Sequence, residues 1–341
     1  MKKVTVIGAG SFGTTLAILL NDNQHHVSLY TNDAAAAEQM NQTRTNEIYL
    51  PGVTLDPRIT ITHDLADALR DTDAVVYVIP SVAMVSVLDQ VAEQVSSTAK
   101  KPIMVIASKG FDSDNLLTLS QVAEQRLATA GVPATHIGAL SGPTHAEELG
   151  RKIPTTCVAA SDSEDTAKFI QDLFMTPYFR VYTNTDLMGV ELAGALKNVI
   201  ALAAGTLDGM GYGDNTKAAL MTRGIKEVAE LGVACGARES TFYGLAGIGD
   251  LIVTCTSVHS RNLRAGRLLG QGKTIDQARA EIGQVIEGAN AARAAMELAH
   301  KYGVEAPIVT QVNAVLEGRV SAQEAIAELM GRARKEEYGL L

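Results

Sequence analysis

Gly8-Ala9-Gly10-Ser11-Phe12-Gly13 has the glycine spacing that can hold a pyrophosphate. The first glycine permits a tight turn, the second lets the backbone approach the phosphates, and the third lets the next helix pack close to the strand. N–H groups at the start of that helix then face the anion. A structural turn can share this spacing. The apolar run before it, 4–7, and the helical stretch after it, 14–20, favour the dinucleotide site. Other groups stand out because their surroundings do not suit them. Glu191, Lys197 and Asn198 interrupt residues 190–204, which are apolar around most of a helix. A lysine there needs a cleft, a carboxylate or a ligand, unless it snorkels to the surface. Asp250, in Gly247-Ile248-Gly249-Asp250-Leu251, either pairs with a cation or caps the apolar helix that follows. Arg261, between Ser260 and Asn262, can fork onto a phosphate, whereas Arg264 and Arg267 read as an ordinary basic helix face.

The elements that must position these groups change character along the chain. Apolar runs at 27–30, 74–79, 103–107 and 136–140 alternate with helical stretches, which predicts a parallel sheet covered on both faces. Ligands collect at the carboxyl ends of such strands, where Pro80-Ser81, Ser108-Lys109-Gly110 and Ser141-Gly142-Pro143-Thr144 lie. The end of the second strand reads Tyr30-Thr31-Asn32-Asp33. Asn32 offers a neutral amide to the cofactor ribose, and Asp33 stands late enough to cap a helix at Ala34 instead, so NAD and NADP both remain open. Beyond about residue 185 the pattern is helical. The expected division is a dinucleotide-binding domain over 1–185 and a helical substrate domain over 186–341, with the site in the cleft between them. Glycines 205, 209, 211 and 213 read as a mobile loop that either gates the cleft or connects helices.

With 341 residues the chain can bury a sizeable core, and 46% hydrophobic with 20% charged residues fits a globular protein. A net charge of −9 argues against nucleic-acid binding but leaves room for an anionic small substrate, because a few cations in a cleft outweigh the global sign. The polar breaks in 190–204 argue against a membrane span. The N-terminus enters the first strand without a signal-peptide pattern, so the expected location is cytoplasmic. Cys157, Cys235 and Cys255 are widely spaced in apolar surroundings and read as three buried reduced thiols, with no metal set.

The glycine turn, Ser108-Lys109-Gly110, Ser141-Gly142-Pro143-Thr144, Leu196-Lys197-Asn198, Gly247-Ile248-Gly249-Asp250-Leu251 and Ser260-Arg261-Asn262 stand in the order and spacing of a known family. Together with the closing Gly331-Arg332-Ala333-Arg334-Lys335-Glu336, they resemble bacterial NAD(P)-dependent sn-glycerol-3-phosphate dehydrogenase over essentially the whole chain. The resemblance implies an α/β fold, with an N-terminal Rossmann-like doubly wound sheet and a C-terminal all-helical domain. It implies a homodimer that interconverts dihydroxyacetone phosphate and sn-glycerol 3-phosphate with NADPH or NADH, feeding glycerophospholipid synthesis. Lys197 then matches the catalytic acid/base, and Lys109, Gly142, Thr144, Asp250, Ser260, Arg261 and Asn262 match the substrate shell. Ser11, Phe12, Lys109, Ala146, Arg261, Val285 and Glu287 match positions that contact the dinucleotide, alongside Gly8, Gly10 and Gly13. Asn32 stands where related sequences often carry a basic or imidazole side chain. Two other classes share part of this pattern: dehydrogenases of hydroxy acids or sugar acids, and nucleotide-binding proteins without turnover. Ser260-Arg261-Asn262 with Asp250 separates the first rival, and Lys109, Lys197 and Asp250 together argue against the second.

Overall fold

The computed structural model describes residues 1–337 apart from 99, 113, 133–135 and 335, so Lys335 of the closing motif lies outside the described residues. Eight strands form the main sheet: β1 (Lys3–Ile7), β2 (His26–Tyr30), β3 (Thr60–Thr62), β4 (Ala74–Tyr77), β5 (Ile103–Ile106), β6 (Ile137–Ser141), β7 (Thr155–Ala160) and β8 (Phe179–Asn184). Their order is β8-β7-β6-β5-β4-β1-β2-β3. Strand order reverses at β1, which leaves a crevice outside its carboxyl end, beside β4.

The expected parallel sheet needs one correction. Strands β1 to β6 run parallel, but β7 pairs antiparallel to β6, with Ala139 opposite Ala160, and β8 runs parallel to β7. The β6–β7 connection carries only a four-residue helix, Ala146–Leu149, instead of a helix long enough to return along the sheet. The chain therefore turns back directly.

Helices α1 (Ser11–Asp22), α2 (Ala34–Thr43), α3 (Met84–Ser96), α4 (Leu119–Thr129) and α5 (Glu164–Phe174) complete this half. Asp33 does cap α2, accepting a 3.0 Å hydrogen bond from the Ala36 amide. The central strands are buried on both faces. Val76 and Val105 pack in one core with Leu16 and Leu20 of α1, while Val75, Tyr77 and Met104 face a second core continuous with the C-terminal helices.

Beyond β8 the described secondary structure is helical: α6 (Leu187–Gly209), α7 (Asp214–Ala234), α8 (Asp250–Thr256), α9 (Arg261–Gly270), α10 (Ile275–Ile282), α11 (Glu287–Tyr302), α12 (Pro307–Leu316) and α13 (Ala322–Gly331), with a short helix Glu239–Phe242. Asp186 starts α6 by accepting from the Gly189 amide, and it ties that end to the short helix by accepting from Arg238 N and Thr241 Oγ1. Helix α6 runs through the middle of the bundle, against α7, α8, α9 and α11. By length and composition it could cross a membrane, yet 89% of its most apolar 18-residue window is buried inside the protein. Its all-round apolarity is that of a core helix.

The expected glycine loop needs a second correction, since Gly211 and Gly213 do stand in the connection between α6 and α7 but the other two do not. Gly205 and Gly209 lie inside α6, where they meet Gly266 and Gly270 of α9; a Cβ on any of the four would strike backbone of the opposite helix. Glycines four apart on both helices let the two backbones touch, which sets α9 and its first residue, Arg261, against the lysine helix. Gly266→Ala should lower the unfolding free energy by about 3 kcal/mol, since neither backbone can yield cheaply. An unchanged urea midpoint would show that the helices tolerate separation. Cys157 and Cys255 are buried, whereas Cys235 is only half-buried, contrary to expectation; all three are free.

Candidate active site

The glycine turn leaves β1 at Gly8, whose φ of +111° suits glycine, and Gly13 packs directly onto the Gly8 carbonyl. Helix α1 then begins after Gly10 with no side chain capping it. A Cβ on Gly10 would meet nothing within 4 Å, and the N–H groups of Ser11, Phe12 and Gly13 that follow have no side-chain cap. That cradle fits a pyrophosphate. Asn46 braces it, donating to the Ala9 carbonyl and to Thr14 Oγ1, both at 2.8 Å. Asn32 stands exposed just past the carboxyl end of β2.

The ends of β4, β5 and β6 complete the sheet side of the cleft. Ser108 Oγ donates to the Ile79 carbonyl and accepts from the Ile79 amide, locking the loops after β4 and β5 together. Lys109 then reaches across to donate to the Gly142 carbonyl at 3.0 Å and to Asp250 Oδ2 at 2.5 Å. Thr144 Oγ1 donates to the same Gly142 carbonyl, and the Ala146 carbonyl accepts from Thr15 of α1.

On the helical side, Lys197 is only 4% exposed and so does not snorkel. Its Nζ lies 3.1 Å from Asp250 Oδ1 and donates to Thr254 Oγ1 at 2.6 Å. Asp250 and Thr254, four residues apart, share one face of α8, and the Thr254 hydroxyl donates its own hydrogen bond to the Asp250 backbone carbonyl. Asp250, 2% exposed, lies between the two lysines, so it serves as an ion-pair partner and makes no cap bond at the start of α8. Burial alone would raise its carboxyl, but the Lys109 and Lys197 charges hold it below the ordinary value. Burial lowers the Lys197 ammonium to about 8; Asp250 opposes the shift and Lys109 adds to it. A buried lysine titrating near neutrality, paired with a carboxylate, can give or take a proton under physiological conditions. Beside it, burial raises the Cys255 thiol to about 12 and leaves it unreactive.

Arg261 opens α9 and stands exposed on the cleft. Its Nη1 donates to the Val285 carbonyl at 3.4 Å, and among the described residues no carboxylate comes within 4 Å of it. Ser260 caps α9 by accepting from the Leu263 amide, and Asn262 donates to Asn198 Oδ1 and accepts from Gly288 N, each at 2.9 Å. Ser260 thus fixes the start of α9, and Asn262 fastens that start to α6 and α11. Glu287, first in α11, accepts from both the Ser81 amide and hydroxyl, binding the helical half to the loop after β4.

The fold thus brings Lys109, Lys197, Asp250, Gly142 and Thr144 together, places Ser260, Arg261 and Asn262 beside them, and puts Val285 and Glu287 at the cleft edge. Sequence reasoning missed Thr254 and Asn46. The i,i+4 spacing from Asp250 could have revealed Thr254, whereas nothing local marks Asn46. Among the described residues no three or more His, Cys, Asp or Glu side chains form a metal-binding group.

Family models described as NAD-dependent glycerol-3-phosphate dehydrogenase N-terminus and C-terminus match residues 3–167 and 186–327. A glycerol-3-phosphate dehydrogenase [NAD(P)+] of Fusobacterium nucleatum is 48% identical over 335 residues, covering 98% of each chain. That of Bacillus subtilis is 46% identical over 337 residues, 99% of this chain and 96% of the relative. The crystal structure of glycerol-3-phosphate dehydrogenase from Coxiella burnetii superposes with a TM-score of 0.91 at 33% identity, covering 97% of this chain and 99% of that one. With both family halves matched and relatives of this identity aligned end to end, the chain belongs to the NAD-dependent glycerol-3-phosphate dehydrogenase family.

Proposed function

We propose that this protein reduces dihydroxyacetone phosphate to sn-glycerol 3-phosphate, reversibly, with NADPH or NADH, and so supplies glycerophospholipid synthesis. The observation that carries the reading is the buried Lys197–Asp250–Lys109 cluster, with Arg261 on the neighbouring α9 engaged, among the described residues, by a backbone carbonyl and by no carboxylate within 4 Å. The bound dinucleotide supplies hydride to C2 of the ketone. Charge then builds on the C2 oxygen, and protonated Lys197 donates its proton there while Lys109 adds a second positive charge. Asp250 and Thr254 hold the ammonium at a set angle, so it need not reorganise during the step. Arg261 takes the phosphate with its fork. Ser260 still has its O–H and Asn262 a second N–H to offer the same anion after their structural bonds. Gly142 and Thr144 line the substrate side.

In the same reading, residues 1–185 form the dinucleotide domain and 186–341 the substrate domain. The end of β8 at Asn184 and the start of α6 at Leu187 support that division. The cofactor would be held by Gly8, Gly10, Ser11, Phe12, Gly13 and Asn32, with Lys109, Ala146, Arg261, Val285 and Glu287 as its further contacts. The enzyme works as a cytoplasmic homodimer, an assembly that light scattering would check.

Loss of reduced-nicotinamide absorbance, followed separately with NADH and NADPH, tests the reaction. Turnover with dihydroxyacetone phosphate and little with unphosphorylated dihydroxyacetone supports it; no turnover with either cofactor would return the hydroxy-acid and binding-protein readings. The pH dependence follows from Lys197. Alcohol oxidation needs the neutral amine, so its rate should rise from neutrality through about 8 and then level; ketone reduction needs the ammonium and should fall over the same window. A flat oxidation profile with hydride transfer rate-limiting would count against Lys197 as the base.

A further inference from the structure

Beyond the pyrophosphate cradle, strands β2 and β3 end in the same way. Thr31-Asn32-Asp33 follows β2, and Thr62-His63-Asp64 ends β3. In each turn the threonine hydroxyl accepts from the aspartate amide, at 3.3 and 3.0 Å. The aspartate Oδ1 then caps a helix: Asp33 caps α2 through Ala36 N, and Asp64 caps the four-residue helix Leu65–Ala68 through Asp67 N. The strands run parallel with Tyr30 opposite Thr62, and the Thr31 amide donates to the Thr62 carbonyl at 3.1 Å. Two matching turns therefore stand side by side at the carboxyl end of the sheet, with Asn32, Asp33, His63 and Asp64 all exposed.

Capping fixes each carboxylate in place without neutralising it. Among the described residues neither has a cation within 4 Å. The arginines nearest in sequence are engaged elsewhere: Arg44 donates to the Asp56 and Ile59 carbonyls, Arg58 pairs with Asp56, and Arg70 pairs with Asp67. A dinucleotide whose pyrophosphate sits on the start of α1 carries its adenosine ribose to the end of β2, where an acidic residue about 20 positions past the glycine turn meets the 2′-hydroxyl. Asp33 stands 20 residues after Gly13. We propose that Asp33 and Asp64 make the enzyme select NADH over NADPH: Asn32 offers an uncharged amide to the ribose hydroxyls, while the two fixed carboxylates repel a 2′-phosphate. The inference deepens the reading above and rests on it for the cofactor site alone. His63 is the remaining titratable group on the two turns, and its contribution is part of the test.

Calorimetric titration of the cofactor-free protein with NADH and with NADPH gives both Kd values without turnover. At about 20 mM salt NADH should bind about 10-fold or more tightly than NADPH, and at about 0.5 M salt that ratio should narrow by about 3-fold or more, because screening weakens repulsion between exposed charges. The double variant Asp33→Ser, Asp64→Ser keeps both caps, since serine caps as well as aspartate does, and should narrow the low-salt ratio about 10-fold. His63→Gln should leave the ratio within about 2-fold of wild type, since the discrimination comes from the carboxylates. NADPH binding as tightly as NADH, or a ratio unmoved by salt or by the serine variant, would overturn the assignment while leaving the reaction itself standing. A loss of NADPH affinity in His63→Gln would overturn it too, by making the imidazole a ligand of the 2′-phosphate. The salt titration needs only the wild-type chain, so a variant that fails to fold does not remove the test. Binding of neither dinucleotide would instead sink the cofactor site and the reading above with it.

Discussion

Lys197→Met should lower kcat for dihydroxyacetone phosphate reduction by about 10⁴-fold, the upper range for removing a general acid that also stabilises the developing oxyanion. Met matches the length of the lysine stem and is at home in a site where the side chain is almost wholly buried. Asp250 keeps Lys109 as its partner at 2.5 Å, so no carboxylate is stranded without a cation and the fold should hold. The dinucleotide cradle lies on β1 and α1, away from the change, so NADH affinity should move little. Single-turnover NADH oxidation together with NADH titration separates the two effects. Catalysis within about 10-fold of wild type would mean that another group delivers the proton.

Arg261→Ala should cut kcat/KM for dihydroxyacetone phosphate by about 10²- to 10³-fold, the expected cost of losing charge-assisted bonds to a phosphate. With cofactor saturating, so that any contact of Arg261 with the dinucleotide cancels, unphosphorylated dihydroxyacetone should lose less than about 3-fold, because the reacting carbon still meets Lys197. The asymmetry is the diagnostic quantity. Among the described residues no carboxylate lies within 4 Å of Arg261, so its truncation breaks no ion pair among them. Its neighbours Ser260 and Asn262 keep α9 capped and tied to Asn198. Arg261→Lys should fall between the two, retaining charge while losing the planar fork. Equal losses on both substrates would remove the phosphate role and point to cleft geometry instead.

Much of the fold was legible because it depends on local periodicity. The strand, glycine turn and helix of residues 3–22 follow one another within a single βα unit, so spacing alone revealed them. Helix α6 was likewise readable from its all-round apolarity. The reversal at β7 was not, since the direction in which a strand returns depends on how far its connection travels, and neither β7 nor β8 carries a long apolar run. The three residues of β3 are too few to show a period. Gly205 and Gly209 looked like a loop because a low-propensity residue has the same appearance in a sequence whether it frees a chain or lets two helices touch.

The candidate site divides in the same way. By itself the sequence determined which residues were chemically out of place: a lysine in an apolar helix, an aspartate among small residues, and an arginine flanked by hydrogen-bonding side chains. Only the tertiary structure decided what each of them does. Lys109 and Asp250 are 141 positions apart and Lys197 and Thr254 are 57 apart, yet both pairs are in hydrogen-bond contact. Whether Asp250 caps or pairs, and whether Lys197 snorkels or stays buried and titrates near neutrality, depends on desolvation and on Coulomb forces that change steeply over a few ångströms. Those distances are set by sheet order and by the α6–α9 contact, which bring sequence-distant loops to one cleft.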